Sequence, residues 1–129
     1  MVSVQAAIAQ ANAVLPPSAA RDGELDLRWQ AIIGVGEFVA SDPLEVWEFT
    51  RRWAAIEDDD LRSALATCLL EHLLEHHFSE MFPRVSDAAA SDPGVAALVT
   101  KCWALGAAAE PYNVRRFEVL KAECLARAV

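Results

Sequence analysis

The chain carries an internal repeat. Residues Ala40–Ala54 read ASDPLEVWEFTRRWA and residues Ala90–Ala104 read ASDPGVAALVTKCWA, an offset of 50 residues with no gap. Seven of the fifteen positions are identical: the Ala-Ser-Asp-Pro block, Thr50/Thr100, Trp53/Trp103 and Ala54/Ala104. Arg51 and Lys101 share a charge. A fixed-period repeat built from helical pieces constrains the fold strongly, because each unit must bury its apolar face against a neighbour. It predicts an all-α chain of stacked antiparallel helical hairpins, six to seven helices in all. Such architectures usually bind rather than catalyse.

Part of the identity is capping chemistry. Asp42 and Asp92 suit the N-cap, and Pro43 and Pro93 suit the first helical position. One helix therefore starts at Pro43, with Val46, Phe49, Trp53 and Ile56 on one face and Trp47 pointing elsewhere. Its counterpart starts at Pro93, with Val95, Leu98, Val99, Cys102 and Leu105 as its stripe and Gly106 as its stop. The Thr, Trp and Ala matches that follow each Pro in register make the two helices equivalent. Trp53 and Trp103 are then expected in matching core slots.

The other segments are also helical by periodicity. Ser3 caps a helix reaching about Leu15, with Val4, Ala7, Ile8, Ala11, Val14 and Leu15 as its stripe, and Pro16-Pro17 ends it. A loop runs to Gly23. A helix from Glu24 to Ala40 buries Leu25, Trp29, Ile32, Ile33, Gly36 and Val39, with Gly34 and Gly36 read as sites of close packing. The helix from Leu61 to about His77 is apolar on two sides: Leu61, Leu65, Cys68 and Leu69, then Ala66, Leu70, Leu73 and Leu74. It is expected at the centre of the core. The acids Glu57 to Asp60 before it favour a helix start, not a calcium loop. A helix from Ser79 to Ala90 is expected to be interrupted near Pro83. A last helix follows Pro111, with Asn113 as a candidate cap. These pieces form one domain: an N-terminal helix and linker at 1–23, a core at 24–105 and a C-terminal helix at 106–129.

Asp60-Leu61-Arg62-Ser63-Ala64-Leu65-Ala66 is similar to the first-helix pattern of HEAT-type repeats. The pairing of that helix with Phe82–Ala90 and the turn at Asp92-Pro93 also resemble the family. About two units fit, over residues 24–105. The resemblance implies a protein that binds other proteins or large ligands along one helical face.

A net charge of −8 on 129 residues repels phosphate backbones and acidic membranes, so neither nucleic acid nor membrane is an expected partner. The N-terminus lacks a basic signal-peptide region, and no apolar run approaches a membrane span. Cys68, Cys102 and Cys124 fall on apolar helical positions without metal-ligand spacing, and read as free thiols in a reducing cytoplasm.

One cluster carries chemistry. His72-Leu73-Leu74-Glu75-His76 matches H-x-x-E-H, the inverted zinc-protease motif. His72 and His76, four apart, share a helix face as two zinc ligands must, and Glu118 or Glu123 is a third ligand only if the last helix packs alongside. The helical wheel favours packing, capping or partner contact instead: at about 100° per residue His72 and His76 continue the face of Leu61, Leu65, Cys68 and Leu69, at its C-terminal end. The expected function is a non-enzymatic protein-binding module, an acidic adaptor or an immunity-type inhibitor, with no cofactor. Its candidate contacts are Trp47, Arg51, Arg52, Lys101, His72 and His76, and Arg51, Arg52 and Lys101 would form a small basic strip. The alternative is a metal-dependent hydrolase using His72, Glu75 and His76. A homodimer burying Trp47 is a third expectation.

Overall fold

The computed structural model describes residues 2–15 and 26–127, and all of the regular structure in them is helical. In chain order the elements are α1 (Val4–Val14), α2 (Leu27–Gly36), α3 (Pro43–Ala54), α4 (Asp59–Leu65), a π turn (Ala66–Leu70), α5 (Glu71–Ser91), α6 (Pro93–Lys101), a 3₁₀ turn (Gly106–Ala109) and α7 (Pro111–Arg127). The all-α class is as expected. The expected break at Pro16-Pro17, the loop to Gly23 and the contribution of Leu25 lie outside the described residues.

The helix starts follow the local chemistry. Ser3 accepts a hydrogen bond from Ala6 N at 3.1 Å, and Asp92 accepts one from Gly94 N at 2.9 Å. Asp42 occupies the N-cap of α3, but its carboxylate takes the Ser41 hydroxyl at 2.8 Å and makes no cap bond. α2 begins later than periodicity suggests, capped by Asp26, and ends at Gly36. Asn113 is not a cap; its amide donates to Ala107 O at 2.9 Å.

α4, the π turn and the first part of α5 form one continuous rod at the centre of the molecule. α2, α3 and α6 surround the π turn. Leu61, Leu65, Ala66, Leu69, Leu70, Leu73 and Leu74 are all buried. The buried pairs Leu65-Ala66, Leu69-Leu70 and Leu73-Leu74 recur every four residues. On a regular helix that spacing drifts by about 40° per repeat. The wider π turn takes up the drift, so that all three pairs stay inside.

The rod bends at His77, whose φ of −134° and ψ of 43° leave the helical region, and His77 Nε2 lies 3.0 Å from Val39 O. The interruption is therefore at His77 and not at Pro83. Pro83 and Ser79, the residue four before it, are both exposed, so the hydrogen bond proline cannot make is lost on the solvent side. After the bend α5 packs against α6 and α7. Arg116 of α7 lies over Phe82 at 4.7 Å and over Tyr112 at 5.4 Å.

The two repeat helices pack on each other. A Cβ at Gly94 would sit 2.2 Å from Ala54 O, so only glycine admits this approach of α6 to the end of α3. The equivalence stops short of the tryptophans. α6 ends at Lys101, before Cys102, and Gly106 starts the 3₁₀ turn with φ +52° instead of closing α6. Trp103 consequently lies outside any helix and is 71% exposed, whereas Trp53 is half-buried and donates to Asn12 Oδ1 at 2.7 Å. The expectation of matching core slots fails because the second helix is shorter. Of the two α2 glycines, Gly36 packs closely, its Cβ position 3.0 Å from Cys68 O, and Gly34 has nothing within 4 Å.

Candidate functional site

The acidic run is structural. Arg28 is 3% exposed and sends Nη1 to Asp58 at 2.9 Å and Nη2 to Asp60 at 2.6 Å. Asp58 also caps α4 by accepting from Leu61 N at 3.1 Å. That hydrogen bond and the Arg28 guanidinium hold the Asp58 carboxyl below the usual range. Trp29 Nε1 reaches Asp60, and Lys101 Nζ reaches Asp59 at 2.8 Å. Three of the four acids thus tie α2 and α6 to the start of the central rod.

That ties up one expected contact. Lys101 is half-buried on Asp59 and is not among the residues that line the groove beside Arg51 and Arg52. Trp47 is also not a surface contact. It is 4% exposed and part of the core, because α3 buries Val46, Trp47, Phe49 and Thr50 together. α3 is covered from more than one side, by α1, the central rod and α6, which the single-stripe reading missed. A homodimer interface formed by Trp47 has no exposed ring to use.

Arg51 and Arg52 line a groove of about 620 Å³ between α1 and α3, with Ile8, Asn12, Leu44, Glu45, Glu48 and Phe49. Arg51 Nη2 pairs with Glu48 at 2.8 Å. Ile8, Leu44 and Phe49 supply its apolar lining, and the charges stand along α3. Leu44 was absent from the sequence candidates. Its signal was a leucine placed off the stripe of α3 and followed by Glu45 and Glu48.

His72, Glu75 and His76 converge on a second surface. His72 Nδ1 lies 2.7 Å from Glu75 Oε1, and His76 Nε2 lies 3.4 Å from the same oxygen. The three ligand atoms lie within 4.8 Å of one another. The histidines do not continue the buried face. The π turn rotates them outward, leaving the side chains 41% and 53% exposed. Glu118 and Glu123 are not members of this group. Gly106 is the neighbour that sequence reasoning missed: a Cβ there would lie 2.7 Å from Glu75 Cγ and 3.0 Å from Glu75 O. The backbone crosses directly over Glu75 at that point. Its approach is fixed nearby, where Glu71 Oε2 accepts from Trp103 N at 2.9 Å and Lys121 Nζ donates to Cys102 O at 2.8 Å.

The three thiols are embedded as expected. Cys102 and Cys124 are buried and Cys68 is half-buried, and burial raises the pKa of all three. No helix among the described residues is long and apolar enough to cross a membrane. Comparison of the chain with protein-family models, curated proteins and solved structures found no match.

Proposed function

We propose that the chain is a protein-binding module, and that the groove between α1 and α3 receives an amphipathic helix of its partner. The observation that carries this reading is the order of charges beside the apolar lining. Glu45 and Glu48 stand toward the N-terminal end of α3, and Arg51 and Arg52 toward its C-terminal end. Acids near a helix N-terminus and bases near its C-terminus complement its dipole. An antiparallel partner helix with the same ordinary arrangement brings its acids to Arg51 and Arg52 and its bases to Glu45 and Glu48. Its apolar stripe then covers Ile8, Leu44 and Phe49.

The adaptor or inhibitor role belongs to the same proposal, with the net charge of −8 favouring a partner of basic overall charge. The test is a pulldown with purified wild-type chain and a Leu44→Glu/Arg52→Glu variant whose circular dichroism and melting match wild type. A stoichiometric partner is expected with wild type and not with the variant. No stoichiometric partner, or equal retention by both chains, removes the reading.

A further inference from the structure

The cluster of His72, Glu75 and His76, none of which lines the groove, has a different use. We propose that His72, Glu75 and His76 form a binding site for a divalent transition ion of the zinc class, with the fourth coordination position open to water or to an incoming ligand.

The donor set fits that chemistry. Two imidazoles and a carboxylate match the borderline softness of zinc, whereas calcium and magnesium take all-oxygen shells. The spacing also fits. Zinc–nitrogen and zinc–oxygen bonds of about 2.0–2.1 Å place tetrahedral ligands roughly 3.3–3.4 Å apart. The His76–Glu75 separation is already 3.4 Å. The His72–Glu75 pair, at 2.7 Å, is a hydrogen bond that must open by about 0.6 Å. The two imidazole donors need only draw together from at most 4.8 Å. The side chains are 41% exposed at His72 and 53% at His76, which leaves both rings room to turn.

Two backbone features favour the site. The rod leaves helical geometry at His77, so His76 stands at the carbonyl end of a helix, where the dipole attracts a cation. Gly106, at φ +52°, lays the chain against the stem of Glu75 and keeps that carboxylate between the histidines. In the absence of metal the same oxygen serves both rings, so one proton-mediated contact is exchanged for coordination. A metal binds only deprotonated imidazole.

The site is independent of the groove, and its test does not involve a partner. Tag-free protein, stripped with chelator and held reduced, is titrated with zinc by calorimetry and with cobalt by visible absorption. One equivalent should bind, cobalt should give the intense visible bands of a four-coordinate site, and melting should rise with zinc concentration. His72→Ala/His76→Ala should abolish all three signals, and Glu75→Gln should weaken zinc at least tenfold. Gly34→Ala, in α2 with nothing within 4 Å of its Cβ position, should leave binding unchanged. Absence of binding in the wild type, or binding that survives the double histidine substitution, overturns the proposal.

Discussion

Replacing Gly94 by alanine tests the contact that sets the two repeat helices together. The added methyl would sit 2.2 Å from Ala54 O, 2.7 Å from Ala54 C and 3.1 Å from Ala55 N. Those are backbone atoms, so no side chain can swing aside, and ordinary contact requires α6 to retreat by about 1 Å. Overpacking of this kind costs about 1–3 kcal/mol. The retreat acts on the oxygen that Arg62 caps through Nε at 3.2 Å and Nη2 at 3.1 Å, and loosening that cap adds about 1 kcal/mol. The gain in helix propensity from glycine to alanine, below about 1 kcal/mol at this terminal position, opposes only part of the loss. A net destabilisation of about 1–4 kcal/mol follows. With an unfolding entropy of about 2.1 cal/mol/K per residue, a chain of 129 residues should melt about 4–15 °C lower. Gly34→Ala is the matched control, because that position has open space around it inside α2. It should raise the melting temperature by about 2–4 °C. Thermal melts followed by circular dichroism, with urea titrations to obtain free energies, measure both. Equal or higher stability of Gly94→Ala would refute the claimed close approach of α6 to α3.

Trp47→Ala should cost about 3–5 kcal/mol in a urea titration, whereas Trp103→Ala should stay within about 0.5 kcal/mol; the reverse order would overturn the assignment of core and surface rings. Asp58 has a folded-state pKa below the ordinary carboxylate value of 3.8, so its contribution is present above that pH and is lost as the pH falls through the lower folded value. Stability measured from pH 6 downward should therefore decline more steeply below about pH 4 for wild type than for Asp58→Asn, and parallel curves would contradict the Arg28 and Leu61 contacts. With Ellman's reagent at pH 8, Cys102 and Cys124 should react only after urea is added, leaving Cys68 as the sole candidate for reaction in the folded chain; rapid labelling of Cys102 in folded protein would refute its burial.

Much of the helical layout was legible because its signals are local. Ser3, Asp92, Pro43 and Pro93 act on backbone groups within a turn of themselves, so they start helices wherever the chain packs. The central helix was legible because leucines on two opposite sides can only be sandwiched. The candidate sites were less legible. His72 and Glu75 were recognisable as a motif, but their exposure depends on a π turn that no residue between Ala66 and Leu70 announces. Arg51 and Arg52 were recognisable as a basic pair, but the pairing of Lys101 with Asp59, 42 positions earlier in the chain, was not. Leu44 belongs to a groove only because α1 lies across from it.

The sequence by itself determined the helical class, the two Asp-Pro starts and the position of the core rod, since capping and apolar periodicity are properties of a few neighbouring residues. Only the tertiary structure decided that Trp47 is inside and Trp103 outside, that Gly94 must lack a side chain, and that His72, Glu75 and His76 come together partly exposed, with Gly106 over Glu75. Each of these depends on how closely two backbones approach, or on the phase of a helix after one wide turn. Such distances are fixed by the packing of all the helices together, and a single segment does not encode them.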